Sequence, residues 1–278
     1  MKKLLRKLGN LRLPSFFKKG FWRFYGFAIG KGVKIHPTVV LSCKNAKIGD
    51  FVEIGRNVRI LGPKSFEVGE FSTISFDCVF IGNKNIIIGK NCFLGINSLL
   101  DASGDLSIGN NVAIAGSGIQ IWTHSTWLEE IQNYSIKNTT APVSIENDCY
   151  IGTGSIILPG VKIGKESIIA AGSVVTKNIP QRILVGGVPA KKIKKIKTEI
   201  INFERKKEII SDFLKKENFF DFSFYPKKRG KVVFTNGFDY KYPKKSVFDL
   251  KTKTCVIKNK EGVKVRKLLN YYIARFNG

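Results

Sequence analysis

Aliphatic residues recur at every sixth position between Ile145 and Val175, at Ile145, Ile151, Ile157, Ile163, Ile169 and Val175. Cys149, Ser155, Val161, Ser167 and Ser173 stand two positions before five of them. An amphipathic helix repeats at about 3.6 residues and a half-buried strand at about 2, and neither keeps one residue type in register over such a run. The repeating unit is therefore larger than a single helix turn or strand. A solenoid coil of three short strands fits: each aliphatic side chain enters a narrow prism, each small residue fills the corner beside it, and Gly152 and Gly164 permit the turns. The pattern predicts a parallel β-helix of hexapeptide repeats.

Upstream the same pattern starts loosely at Ile35 and Leu41 and firms at Ile48, Ile54 and Ile60. The next inward positions are Val68, Ile74 and Phe80, then Ile88, Leu94 and Leu100, then Ile108, Ile114 and Gln120. Successive steps of 6, 6 and 8 give a coil of 20 residues, where a plain triangular coil needs 18. The two additional residues fall near Gly62-Pro63, Asn83-Lys84 and Ser103-Gly104, on one shared corner, and are turn formers. From Gln120 to Ile145 the step is 25 residues, so a loop leaves the solenoid there. It carries His124 between Trp122 and Trp127, and after it the coil runs without the bulge.

Three segments follow from these boundaries: a basic N-terminal segment at 1–27, the solenoid at 28–197, and a small basic α+β appendage at 198–278. The first holds eight basic residues and no acidic one, interleaved with Leu, Phe and Trp. It reads as short helices broken near Gly9 and Pro14. Two roles stay open for it: an interfacial segment on an anionic membrane surface, and a cap over the open first coil. In the third segment, 198–220 reads as an amphipathic helix, KVVFTN, SVFDL and TCVIKN as strands, and VKVRKLLNYYIARF as a final helix or strand-helix.

Charge changes this picture only in part. The 47 basic and 21 acidic residues leave a formal charge of +26, which points to a polyanionic partner or surface, or to lysine-rich usage without a role. The lysines are scattered and form no nucleic-acid motif, so nucleic acid is not the expected partner. Five cysteines show no CxxC pair. Cys78, Cys92 and Cys149 sit at small corner positions and are expected to be buried free thiols in a cytoplasmic protein. Two histidines, His36 and His124, are too few for a three-histidine zinc site, and no metal is expected. No apolar run is long enough to cross a bilayer and no signal peptide is seen; the expected place is the cytoplasm, with peripheral contact at the inner face of the membrane.

The stretch THS, the loop after it, YIGTGSIILPGVKIGKESIIAAGSVVTKNIP and LVGGVPAKKIK together resemble the hexapeptide-repeat acyltransferases, over roughly residues 35–194. Within that family the likeness is to the branch of sugar and surface-polysaccharide O-acetyltransferases. The resemblance implies a left-handed β-helix, a homotrimer, and acetyl-CoA held between neighbouring subunits. It also implies roles: His124 as catalytic base, the backbone N–H of Thr153 facing the thioester carbonyl, and Ala171, Thr176, Lys177, Lys191 and Lys194 as CoA contacts. Asn97 and Asp101 resemble the branch's acceptor-binding Asn and Asp. Ser125 and Tyr150 depart from the proline and tryptophan that many sugar-acetylating relatives carry, which leaves the acceptor open.

The residue types suit that chemistry. Imidazole titrates near neutrality, CoA brings phosphate charges that call for cations, and small residues let a pantetheine arm approach backbone. Trp122, Trp127 and Tyr134 in the loop offer surfaces for a sugar ring, with Glu129 and Glu130 for its hydroxyls, or serve as packing and solvated loop residues; Tyr150 is the further acceptor candidate, where such relatives carry tryptophan. The expected reaction is transfer of acetyl to a sugar hydroxyl of a surface glycan, whether polysaccharide, lipopolysaccharide or lipid-linked intermediate. N-acetylation of a nucleotide-linked amino sugar is the alternative within enzymes. A non-catalytic trimer binding an anionic polymer is the alternative outside them.

Overall fold

The computed structural model describes residues 11–125, 139–197, 202–216, 222–225, 231–234, 246–249, 254–256 and 265–266. The chain divides into two compact units, Met1–Lys197 and Thr198–Gly278.

The first unit is a parallel β-solenoid with three sheets, visited in the order A, B, C in every coil. Sheet A has seven strands from Ala28–Ile29 to Lys162–Ile163, sheet C seven from Val40–Ser42 to Val174–Val175, and sheet B nine from Lys34–Ile35 to Lys191–Lys195. Each strand pairs in parallel with its counterpart one coil away, as in Ile48 with Val68 and Ile54 with Ile74. The exception is the terminal pair, Ile183–Gly186 with Lys191–Lys195, which is antiparallel. The fold class expected from the period is the one observed.

The aliphatic row fills the prism. Ile60, Ile74, Phe80, Leu94, Leu100, Ile114, Ile151, Ile157, Ile163, Ile169 and Val175 are fully buried, each worth about 1.5–3 kcal/mol relative to exposure. Corner hydroxyls and thiols donate to the backbone of the next coil: Ser72 Oγ to Gly89 O at 2.8 Å, Cys78 Sγ to Gly95 O at 3.0 Å and Cys149 Sγ to Gly164 O at 3.2 Å. Burial pushes the thiols of Cys78 and Cys149 up to about 11, so both are protonated and unreactive near neutrality.

One inward position departs from the expected register. Gln120 faces outward at half exposure, and Ile121 beside it is fully buried. A dry prism disfavours an amide with no partner, and the additional residue is taken up at Gly116, Ser117 and Gly118, where both glycines have positive φ and Ile96 pairs out of step with Ser117. The step across the loop is thus 24 residues, from Ile121 to Ile145.

The corner between sheets C and A carries Gly62-Pro63, Asn83-Lys84 and Ser103-Gly104, as the spacing implies. The long loop leaves from the same corner, so it occupies the place of a bulge in its coil. At its base His124 and Thr140 form an antiparallel bridge, Ser125 N donates to Thr139 O at 2.9 Å and Ala141 N to Thr123 O at 2.9 Å.

Helix α1 (Ser15–Tyr25) closes the first coil. Within the solenoid each coil's N–H groups donate to the following coil, as Gly30 N to Ile48 O, Lys34 N to Val52 O and Val40 N to Val58 O. The equivalent carbonyls of the first coil, Ile29, Val33 and Val39, have no preceding coil to donate to them. Cations from α1 take that place: Arg23 Nη2 to Ile29 O at 2.8 Å, Lys19 Nζ to Val33 O at 3.0 Å and Lys18 Nζ to Val39 O at 2.6 Å. Trp22 covers the apolar end and is fully buried. Burial lowers the Lys18 ammonium to about 8. Capping is therefore what residues 15–25 do, with Pro14 at the helix start; Gly9 and its neighbours lie outside the described residues.

In the second unit α2 (Phe203–Lys216) buries Ile210 and Leu214, one turn apart on one face. The strands Phe222–Tyr225, Lys231–Phe234, Ser246–Asp249 and Thr254–Val256 form an antiparallel sheet in sequence order. Phe222–Tyr225 is a strand that the sequence reading did not anticipate. Of the final segment at 263–276 only Val265 and Arg266 are described.

Candidate active site

The strand Leu99–Ala102 and the strand Gln120–Ile121 are neighbours in sheet C, paired Leu99 with Gln120 and Leu100 with Ile121. This register sets Asp101 beside the residues that open the loop. Its carboxylate is buried and surrounded by donors. Oδ2 accepts from Thr123 N at 2.9 Å, from the Thr123 hydroxyl and from His124 Nδ1 at 2.9 Å. Oδ1 accepts from the Ser103 hydroxyl at 2.8 Å and Ser103 N at 3.2 Å. Thr123 is itself fixed, because Gly104 N donates to its Oγ1 at 2.8 Å.

Burial alone would raise the Asp101 pKa, but the hydrogen bonds from Thr123, His124 and Ser103 outweigh it and hold the carboxyl below its ordinary value. Asp101 is therefore ionised at neutral pH and is an acceptor only. The proton in the contact must belong to His124 Nδ1, and the neutral ring then carries its lone pair on Nε2. The His124 side chain is 40% exposed against 1% for Asp101. Trp122 meets the His124 ring edge to face at 5.5 Å and is tethered by its Nε1 to Gln120 Oε1 at 3.0 Å. The site thus holds a fixed imidazole whose Nε2 is left with the lone pair.

Asp101, expected beside an acceptor, has both carboxylate oxygens engaged within the chain. Its oxygens are buried and engaged, so it stands behind His124 and orients the ring. Ser103 and Thr123 were not singled out from the sequence, and their only signal was proximity to a corner bulge and to the histidine.

The remaining candidates occupy other places. Thr153, Ala171 and Asn97 are exposed on the corner between sheets B and C, away from the C–A corner that bears His124. Thr153 Oγ1 donates to Ser117 O at 2.8 Å and accepts from Ser117 N at 2.9 Å, and Thr153 O accepts from Gly172 N at 2.8 Å. Among the described residues its own N–H has no recorded acceptor. A side chain at Gly116 would come within 2.6 Å of Thr153 Cβ, so only glycine lets these two coils approach. Thr176 and Lys177 are exposed on the C–A corner, two coils beyond His124, or roughly 10 Å along the axis. Lys191 and Lys194 are exposed on the terminal strand. Tyr150 points outward from sheet B at 45% exposure, and Trp127, Glu129, Glu130 and Tyr134 lie outside the described residues. One chain therefore assembles Asp101, Thr123, His124 and Trp122, and leaves Thr153 and Ala171 on a different edge. Among the described residues no group of three metal-ligating side chains exists.

Residues 85–116 and 142–177 match the family model described as the hexapeptide repeat of succinyl-transferase. A Schizosaccharomyces pombe protein named as an acetyltransferase is 44% identical over 94 residues, 34% of this chain and 45% of that one. The 2,3,4,5-tetrahydropyridine-2,6-dicarboxylate N-acetyltransferase of Clostridium perfringens is 49% identical over 71 residues, 23% of this chain and 30% of that one. The matched stretch thus spans less than half the length of these relatives. Among solved structures, a maltose O-acetyltransferase from Clostridium difficile 630 is 27% identical, with 71% of this chain and 85% of that one covered at a TM-score of 0.36. A variant of AntD, an N-acyltransferase from Bacillus cereus in complex with dTDP and coenzyme A, is 24% identical, with coverage of 73% and 100% and a TM-score of 0.45. The three-sheet coil thus carries two segments that match a hexapeptide-repeat model, and the proteins to which the chain is similar carry acyltransferase names.

Proposed function

We propose that the protein transfers acetyl from acetyl-CoA to a sugar hydroxyl of a surface glycan, with His124 as general base. The observation that carries this reading is the 2.9 Å contact of Asp101 Oδ2 with His124 Nδ1, which leaves Nε2 as the base. In the step, Nε2 takes the acceptor O–H proton while that oxygen bonds to the thioester carbon. Charge gathers on the carbonyl oxygen, where the Thr153 N–H donates, a contribution of about 3 kcal/mol for one such donor. The carbon–sulfur bond then breaks and the imidazolium returns its proton to the CoA thiolate. No acyl-enzyme is needed.

His124 and Thr153 stand on different corners, so the complete site takes one from each of two copies. A homotrimer meets that need. It is supported by the outer rows of the sheets in the later coils: Phe93, Ala113, Tyr150, Ile168 and Leu184 on sheet B and Val79, Leu99, Gln120, Ile156 and Val174 on sheet C flank the B–C corner, while Lys34, Glu53 and Arg59 hold these rows in the first coils. Sheet A instead shows Lys47, Glu67, Ile87, Ser107, Ser144 and Lys162, a row in which Ile87 is the one large apolar side chain. In this arrangement Ala171 borders the pantetheine arm, and Thr176, Lys177, Lys191 and Lys194 meet the CoA phosphates. Trp122, Tyr150, Asn97 and Trp127 are left for the acceptor. The cytoplasm, where thiols such as Cys78 stay reduced and acetyl-CoA is made, is the proposed setting.

The test is thiol release from acetyl-CoA with maltose, a galactoside and glucosamine as acceptors, each product checked for a bound acetyl group and for whether oxygen or nitrogen carries it. Acetylation of glucosamine nitrogen in preference to any hydroxyl would favour the N-acetyl reading, which the Clostridium perfringens relative's name supports. Absence of CoA binding by titration calorimetry would leave the non-catalytic polymer-binding alternative.

A further inference from the structure

Helix α1 ties its cations to the solenoid and turns three phenylalanines outward. Lys18 and Trp22 are fully buried, and Lys19 and Arg23 are tied to first-coil carbonyls. On the opposite side Phe16, Phe17 and Phe24 are 78%, 56% and 72% exposed. At about 100° per residue, Phe16, Phe17, Gly20 and Phe24 fall within one arc of about 100°, and Arg23, the charge at its edge, is hydrogen-bonded to first-coil carbonyls. Phe16 and Phe17 pack edge to face at 5.7 Å, and nothing lies within 4 Å of the position a side chain at Gly20 would take. A solvated helix has the reverse polarity.

We infer that this face docks on an anionic lipid bilayer, the three phenylalanines entering the boundary between headgroups and acyl chains. Charge complementarity selects that occupant. Lys2, Lys3, Arg6, Lys7 and Arg12 precede the helix, and the first acidic residue of the chain is Asp50. An apolar protein surface has no need of such one-signed charge, whereas a headgroup layer bearing phosphates attracts each cation by about fivefold in affinity. Aromatic rings beside basic residues are the composition that interfacial segments use. The cations of α1 itself are not among the lipid contacts, because Lys18, Lys19 and Arg23 are already committed to the solenoid. The inference stands apart from the transfer chemistry.

The experiment is co-sedimentation of the full chain with vesicles of equimolar phosphatidylglycerol and phosphatidylcholine, and with phosphatidylcholine alone. The wild-type protein binds the anionic vesicles, ignores the neutral ones, and is largely released at about 0.5 M salt, where the Debye length is below about 5 Å. Phe16→Ser, Phe17→Ser and Phe24→Ser together lower the partition about tenfold or more, with the melting temperature and sedimentation coefficient unchanged. As a check independent of that variant, Phe24→Trp adds emission that brominated acyl chains quench. Failure to bind anionic vesicles, full binding by the triple variant, or an unquenched Trp at 24 overturns the inference. A changed sedimentation coefficient in the triple variant also overturns it, because the face is then covered by protein.

Discussion

Asp101 and His124 are 23 residues apart in sequence, yet a 2.9 Å hydrogen bond joins them across two consecutive coils. The separation is set by the coil, so the pair is a product of the solenoid's register and not of a local motif. If the pair acts as base and orienting group, His124→Ala lowers kcat by about 10²–10⁴ and leaves CoA affinity near its wild-type value. Asp101→Asn keeps the volume but loses the acceptor that fixes the tautomer, and is expected to cost about 10²-fold or more in kcat. Steady-state kinetics beside calorimetric CoA titration separates these effects from loss of binding.

The Asp101 carboxyl also sets an acid limit. Its folded pKa lies below the unfolded value, so its contribution to stability is present above the ordinary value of 3.8 and is lost as pH falls through the lowered folded value. Thermal melts of the wild type are therefore expected to fall faster below about pH 4 than those of Asp101→Asn, while the two run parallel between about pH 5 and 8. Parallel curves throughout would remove the linkage.

A site shared between copies predicts complementation. His124→Ala and Ala171→Trp each lower activity by about 10²-fold or more alone, the second by filling the space for the pantetheine arm at an exposed position. Co-folded at equal amounts, about a quarter of the interfaces pair an intact His124 with an intact Ala171 by random assortment, and activity returns to that level. Mixtures as inactive as either parent would place the whole site within one chain.

Register is tested by two carboxylates. Ile74 is fully buried, so Ile74→Asp sets an unpaired charge in a dry prism and costs more than about 4 kcal/mol, enough to prevent folding. Lys84→Asp, at a corner bulge, is expected to stay within about 0.5 kcal/mol. Equal melting temperatures would reject the assigned inward row.

The cap makes a different demand. Deleting residues 1–26 removes Trp22 and the Lys18, Lys19 and Arg23 contacts, and exposes the apolar end of the first coil. The truncated chain is expected to melt lower and to aggregate. Lys18→Ala alone orphans the Val39 carbonyl and costs about 1.5–3 kcal/mol.

The period was legible because every coil repeats one steric demand, a branched or aromatic side chain in a prism of fixed width. It failed at Gln120, where a single additional residue at Gly116–Gly118 shifts the phase without any change in composition. The contact of Asp101 with His124 was hidden for a related reason: which residues touch across coils depends on the exact count of bulge residues between them. His124 was visible as the histidine that opens the longest excursion. The inward turn of Lys18, Lys19 and Arg23 was not, because composition places cations in water, and only the unmet carbonyls of the first coil explain their direction.

The central claim rests on one measurement, the rate of thiol release from acetyl-CoA in the presence of a sugar acceptor, compared between the wild type and His124→Ala. The account predicts acetylated sugar in equal yield with thiol for the wild type, and a rate about 10²–10⁴ lower for the variant with CoA still bound. A His124→Ala protein that acetylates sugar at the wild-type rate would contradict it.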